Sequence, residues 1–126
     1  NNSLVLRIDQ QQLRLLLTGD IEGEGEASLL DAGLTLEADL LKVPHHGSRG
    51  ASSTSFLREV RPRWAVIQAG DRNPFGHPHH ETLARYAAQG IQVFRTDRDG
   101  AVTFALRDGV VTSRTYRQEL GVWAGD

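Results

Sequence analysis

The chain has 126 residues, of which 39% are hydrophobic and 24% are charged, which suffices for the core of one domain. Its net charge of −2 argues against a strongly basic nucleic-acid-binding module, and the lack of cysteine excludes disulfides, a zinc ribbon and a thiol nucleophile. Any metal ion must therefore be held by His, Asp or Glu. Neither a membrane span nor a signal peptide is recognisable. Because methionine is also absent, we expect a segment of a longer protein.

The first third of the chain predicts strands and one short helix. Two apolar segments separated by QQQ, SLVLRID and LRLLLTGD, predict a β-hairpin. The glycine-rich segment that follows becomes apolar at Ala27, Leu29 and Leu30 and predicts a short helix that stops at Gly33. ADLLKV predicts a third strand, which ends at Pro44.

The rest of the chain alternates helices and strands before it closes in strands. A helix capped by Ser52 or Ser53 is predicted for SSTSFLREVRP, and a strand is predicted for WAVIQAGD. The next segment, HPHHETLARYAAQG, predicts a loop that leads into a helix. IQVFRT, AVTFALRD and VVTSRTYR predict three more strands, the last two joined by an Asp-Gly turn. Because the central strands are continuously apolar, we expect an α/β fold with a mixed sheet, as one domain over residues 1–126.

Three successive predicted strands end in polar residues, namely Asp20, the pair His45 and His46, and Asp71. Strand ends of this kind gather along one rim of an open sheet, where ligands bind, so we expect one shared site. A carboxylate can bridge two divalent cations, and two cations can hold the attacking and leaving oxygens of a phosphodiester. Asp20 would be the bridge. One histidine would be a ligand, and the other would orient it or donate a proton.

Each of these motifs also has a purely structural interpretation. Asp20 can cap the segment after a Thr-Gly turn, and the two histidines can form a hydrogen-bonded turn at a strand end. The only lysine, Lys42, is expected at the edge of the fold or in a salt bridge rather than in the site. Several arginines follow the histidine pair and could form either a basic patch or scattered surface charge. They are Arg49, Arg58, Arg61, Arg63 and Arg72.

A second histidine cluster lies in NPFGHPHHETL and is similar to an H-x-H-x-D-H metal-binding run. It lacks the aspartate and is interrupted by Pro78, so we expect His79 and His80 to be exposed at a helix start. Asn73 and His77 precede them on a loop that follows the third polar strand end. We expect this loop to overhang the same rim and to contact a phosphate.

The ordered set TGD, PHHGS, N-x-x-x-H-P and T-D-x-x-G-A resembles the C-terminal metallo-β-lactamase-like domain of the bacterial competence protein ComEC. The resemblance runs from residue 1 to about residue 104. It implies an αββα sandwich of which this chain is the C-terminal half. It also implies that Asp20 bridges two metal ions and that His46 is the later histidine ligand, with His45 as the less favoured alternative.

The same resemblance implies a deoxyribonuclease module of a membrane DNA-uptake channel in natural transformation, which degrades the strand that does not enter. Two divalent ions, zinc or manganese, would be its cofactors and single-stranded DNA its substrate. The domain would lie on the periplasmic or extracellular side of a bacterial inner membrane. His45 and His77 would be catalytic, and Ser48, Arg49 and Asn73 would contact the phosphate or the DNA.

The sequence departs from the family pattern, because no H-x-H-x-D-H loop and no further histidine precede Asp20. One aspartate and one or two histidines are fewer ligands than a catalytic zinc needs, so we expect weak metal binding and no activity of this chain alone. The missing half should also leave an apolar face bare and favour association with that half or with another copy. Two other functions stay open: a degenerate domain that binds nucleic acid or a partner without cutting, and a hydrolase of small phosphodiesters or lactones.

Overall fold

A mixed five-stranded sheet forms the centre of the fold. The computed structural model describes residues 2–119. The strands are β1 (Leu6–Gln10), β2 (Leu13–Leu17), β3 (Leu40–Lys42), β4 (Trp64–Ile67) and β5 (Gln92–Arg95), in that spatial order. β1 is antiparallel to β2, and the other neighbours are parallel. The predicted α/β class with a mixed sheet is therefore confirmed.

Three helices cover one face of this sheet, as right-handed crossovers between sequential parallel strands require. They are α1 (Gly23–Asp31), α2 (Thr54–Val60) and α3 (His80–Ala88). Leu41 and Ile67 from the sheet pack in one buried cluster with Phe56 of α2 and Tyr86 of α3. The hydroxyl of Ser53 caps α2 by accepting a hydrogen bond from the Phe56 amide. This cluster is the main core and holds the strand ends in place.

A second hairpin covers part of the opposite face. It consists of β6 (Val102–Arg107) and β7 (Val110–Thr115), joined by the predicted Asp-Gly turn with positive φ at both residues. The Phe104 ring lies 5.5 Å from Phe94 and 5.7 Å from Trp64 between ring centres, which anchors the hairpin to the sheet. The predicted last strand, VVTSRTYR, is too long, since Tyr116 begins the single turn α5 (Tyr116–Glu119).

Two local differences from the predicted elements lie around the strand ends. α1 begins at Gly23, about four residues earlier than predicted, because the Gly23 amide donates to Gly50 O and fixes the glycine-rich start. β5 ends at Arg95, and Thr96–Asp99 forms a short turn of helix, α4. Among residues 2–119, no helix is long and apolar enough to cross a membrane.

Candidate metal and phosphate site

The ends of β2 and β3 bring the first two polar motifs together. Asp20 follows β2, and His45 and His46 lie in the turn Pro44–Gly47 after β3. The Nε2 atom of His46 is 3.8 Å from Oδ1 of Asp20, so the structure brings these two side chains together. Asp71 is exposed after β4, and within the described part of the chain it makes no hydrogen bond or ion pair with the other three.

The turn that carries the histidines has an unusual backbone. His45 and His46 have φ of 44° and 55°, in the left-handed region that L residues rarely adopt. Gly47 has φ of 80°, and a Cβ there would lie 2.7 Å from Cβ of Pro78, so only glycine fits. The His45 amide donates to Gly19 O at 3.1 Å, and the His79 amide donates to Gly47 O at 2.8 Å. The turn is thus fixed against both the TGD segment and the start of α3.

His46 is held in the orientation of a metal ligand. Its Nδ1 lies 2.7 Å from the carbonyl oxygen of Gln68, which can only accept, so Nδ1 carries the proton. Nε2 is therefore unprotonated in the neutral ring and faces the Asp20 carboxylate. A ligating imidazole usually has its second nitrogen held in this way, by a backbone carbonyl or a carboxylate.

Lys42 forms the expected salt bridge, but its partner is Asp20, so the expectation that Lys42 points away from the site is wrong. Its Nζ is 4.0 Å from Asp20 Oδ1 and donates to Gly19 O at 3.2 Å. Burial lowers the pKa of the Lys42 ammonium. A positive group therefore already partners the aspartate that would bridge two cations.

His45 is oriented by a carboxylate that the sequence analysis missed. Its Nδ1 is 2.9 Å from Oε1 of Glu22, and the Ser48 hydroxyl donates to the same oxygen. The hydrogen bond from Ser48, followed by that from His45, lowers the pKa of Glu22. An ionised Glu22 keeps the proton of His45 on Nδ1 and leaves Nε2 as the acceptor. The only sequence signal for Glu22 was its position two residues after Asp20.

His77 completes this group of imidazoles. Its ring centre is 5.6 Å from that of His45. Burial, and then the neighbouring His45 and His46, lower the pKa of His77 and favour its neutral form. A neutral imidazole can accept a hydrogen bond or a proton at neutral pH.

Two residues predicted to contact a phosphate already have partners in the structure. Ser48 is 5% exposed, and its hydroxyl is bonded to Glu22. The Asn73 side chain donates from Nδ2 to Gly70 O and His77 O, and its Oδ1 accepts from the backbone amide of His77. Asn73 therefore holds the loop together. Phosphate contacts by either residue stay predictions, and they require these hydrogen bonds to be exchanged.

The second histidine cluster lies at the start of α3, as predicted. Ligand atoms of His79, His80 and Glu81 lie within 4.8 Å of one another. However, Nη2 of Arg49 lies 2.7 Å from His79 Nε2, and His79 Nδ1 accepts from the Glu81 amide. Because a guanidinium occupies the nitrogen that a metal would need, this cluster is a poor cation site. Arg49, predicted to contact DNA, is 67% exposed in its side chain.

The donor set at the sheet rim fits a divalent cation in its chemistry but is incomplete in number. In the described range, Asp20 and His46 face each other as one carboxylate and one imidazole. A catalytic zinc usually has at least three protein ligands. The shortage agrees with the lack of an H-x-H-x-D-H loop in the sequence.

A cavity of about 400 Å³ opens beside His46 and His77. The other lining residues come from the end of β4, the loop that Asn73 holds, and the start of α4: Gln68, Ala69, Gly70, Asn73, Phe75 and Thr96. A ligand bound at the sheet rim could therefore extend into it.

The fold is an α/β domain whose sheet rim brings one carboxylate and several imidazoles together. No family model matches the chain. The chain is 37% identical to ComE operon protein 3 of Bacillus subtilis over 92% of its own length, and 38% identical to competence protein ComA of Neisseria gonorrhoeae over 96%. Recombination protein 2 of Haemophilus influenzae is 36% identical over 98% of the chain.

The chain is therefore homologous to a segment of the ComEC-type competence proteins, which confirms the resemblance found in its motifs. It spans only 15%, 18% and 15% of the length of the three relatives named.

Proposed function

We propose that this chain carries part of the cation site of a phosphodiester hydrolase that cuts DNA during its uptake. The observation that carries the proposal is His46, whose Nδ1 proton is held by Gln68 O while Nε2 faces Asp20 at 3.8 Å. Two of the homologous proteins are named ComE operon protein 3 and competence protein ComA, and these names support a role in DNA uptake. DNA, expected to be single-stranded, is the proposed substrate.

Two zinc or manganese ions, when bound, would supply Lewis-acid stabilisation of the phosphodiester and of its attacking and leaving oxygens. Asp20 would hold them with its carboxylate, and His46 would contribute Nε2. His45, with Nδ1–H held by Glu22, would first take up a proton at Nε2 from the attacking water, and the resulting imidazolium, paired with Glu22, would give that proton to the leaving oxygen. His77, kept neutral by its surroundings, would steady the phosphate by hydrogen bonding.

The remaining metal ligands are proposed to come from upstream of residue 1, in the other half of a metallo-β-lactamase-like αββα sandwich. The described residues offer too few ligands for two catalytic ions, so this chain alone should bind metal weakly and cleave nothing. The whole domain is proposed to lie outside the inner membrane, next to the channel portion of the parent protein.

The test is cleavage of single-stranded and duplex DNA, with manganese or zinc, by the chain extended upstream through the proposed ligand half. Asp20→Ala should abolish cleavage and weaken metal binding at least about tenfold, because it removes one of the proposed metal ligands. Asp71→Ala is the matched control, because Asp71 is exposed and, among the described residues, shares no hydrogen bond or ion pair with Asp20, His45 or His46; it should leave both unchanged.

Other results would favour the alternative functions. Bound metal without DNA cleavage would favour a hydrolase of small phosphodiesters or lactones, which a substrate panel would identify. DNA binding without bound metal would favour a degenerate binding domain, in which the PHHGS segment is a structural turn.

A further inference from the structure

The cavity beside His46 and His77 has a wall that the proposed metal chemistry does not use. Phe75 lines it and is 76% exposed, although it is one of the largest apolar side chains of the molecule. Its ring centre lies 5.9 Å from the His77 ring at an interplanar angle of 30°. An exposed flat ring is thus presented directly beside the rim.

The loop that carries Phe75 has a defined conformation. The Asn73 side chain bonds to Gly70 O, His77 O and the His77 amide, which closes the loop on both sides of Phe75. Gly76 has φ of 68°, a turn that glycine adopts without strain. Phe75 is therefore held at the cavity by hydrogen bonds of its own loop.

The floor of the cavity offers few charges. Thr96 Oγ1 accepts from the Ala69 amide at 2.9 Å and donates to Ala69 O at 3.0 Å, and Gln68 O is bonded to His46. These polar groups are already satisfied, and the lining is mainly apolar. Such a site suits an uncharged planar ring better than a phosphate, and its volume of about 400 Å³ lies in the range of small-ligand pockets.

We propose that this cavity binds the nucleobase next to the cleaved phosphodiester, with Phe75 as the stacking surface. The inference rests on the proposed function, because the two sites share His46 and His77. A base can enter the cavity only after it leaves the stack of a duplex, whereas every base of a flexible single strand has an accessible π-face. The cavity would thus select single strands without reading their sequence.

The experiment compares a single-stranded oligonucleotide with its abasic counterpart and with a duplex of the same sequence. The extended chain is assayed with manganese, as wild type and as Phe75→Ala and Phe75→Tyr. Phe75→Ala should lower kcat/KM on the normal strand roughly five- to a hundred-fold and leave the abasic strand nearly unchanged, while Phe75→Tyr, which keeps the ring, should be close to wild type. Leu34→Ala is the control, since Leu34 is 57% exposed and does not line this cavity.

Strand binding measured by fluorescence anisotropy without metal provides a readout that does not depend on cleavage. A preference for the normal over the abasic strand that Phe75→Ala removes would support the base site, even if no cleavage occurs. Equal effects of Phe75→Ala on normal and abasic strands, or no effect on either, would overturn it. If Asp20-dependent cleavage persists in that case, only the base site fails and the proposed hydrolase stands.

Discussion

At the scale of single residues, Glu22 has the largest role that the motifs did not indicate. One of its carboxylate oxygens accepts from both His45 Nδ1 and the Ser48 hydroxyl. A Cβ at Gly50 would lie 3.2–3.3 Å from the Glu22 carboxyl group, so the glycine leaves room for it. Glu22 therefore acts as a positioning residue that fixes the tautomer of His45.

Removing this carboxylate should release His45 while leaving the proposed metal ligands in place. In the extended chain, we expect Glu22→Ala to lower kcat roughly 10- to 100-fold, with a smaller loss for Glu22→Gln, whose amide oxygen can still accept from His45. Nitrogen-15 NMR of the imidazoles should show a mixture of His45 tautomers in the alanine variant only. Equal losses for both variants with an unchanged tautomer would contradict this role.

At the scale of elements, one residue, Asp39, joins the starts of three strands through its carboxylate and its backbone. Asp39 accepts from the Arg14 amide at 2.8 Å and from the Arg14 guanidinium at 2.9 and 3.0 Å. Its own amide donates to Arg14 O, and its carbonyl oxygen accepts from the amides of Arg63 and Trp64. This residue therefore fixes β3 against β2 and β4 at the end of the sheet opposite the candidate site.

The same carboxylate should make stability depend on pH. Hydrogen bonds from Arg14 lower the pKa of Asp39 in the folded state. A depressed pKa contributes stability that is complete above the unfolded value of about 4 and is lost as pH falls through the folded value. Asp39→Asn should therefore lower the free energy of unfolding at pH 7 by about 1 kcal/mol, and less as pH falls below about 4.

Urea unfolding of wild type and variant between pH 7 and pH 2 would measure the effect of Asp39. The matched control is Asp9→Asn, because Asp9 pairs with Arg7 on the surface and its side chain is 56% exposed. That change should leave stability nearly unaltered. A difference between Asp39→Asn and wild type that stays constant down to pH 2 would refute the assignment.

At the scale of the whole molecule, the two faces of the sheet are covered unequally. Helices bury one face, whereas the β6–β7 hairpin covers the other through Trp64, Phe94 and Phe104. At the uncovered edge, Leu6 and Ile8 of β1 remain 46% and 41% exposed. Within residues 2–119, the β1 edge therefore shows part of the bare apolar face expected from the sequence.

This edge should promote association of the chain, since an unpaired apolar edge strand pairs readily with another chain. We expect concentration-dependent self-association and binding of an apolar fluorescent dye, both reduced severalfold by the double change Leu6→Lys and Ile8→Lys. Sedimentation velocity and dye titration would measure these effects. Tyr116→Lys, at an exposed aromatic residue of α5, should change neither. A monodisperse wild-type monomer without dye binding would argue against association.

By itself, the sequence determined the succession of strands along the chain, the Asp-Gly hairpin turn and the position of Asp20, His45 and His46 at strand ends. These features depend on local patterns: apolar runs, turn residues and the proline that stops β3. The ordered motifs also pointed to the competence proteins, because each motif is a short segment that can be recognised in the sequence without the fold.

Only the tertiary structure decided which groups touch. The hydrogen-bonded partners are far apart in the sequence: Glu22 and His45 are separated by 23 residues, Gln68 and His46 by 22, and Thr96 and Ala69 by 27. The early start of α1 depends on Gly50, and the presentation of Phe75 beside His46 depends on the folding of two loops against one rim. Such contacts depend on how the chain packs in space, and no periodicity or spacing along the sequence encodes them.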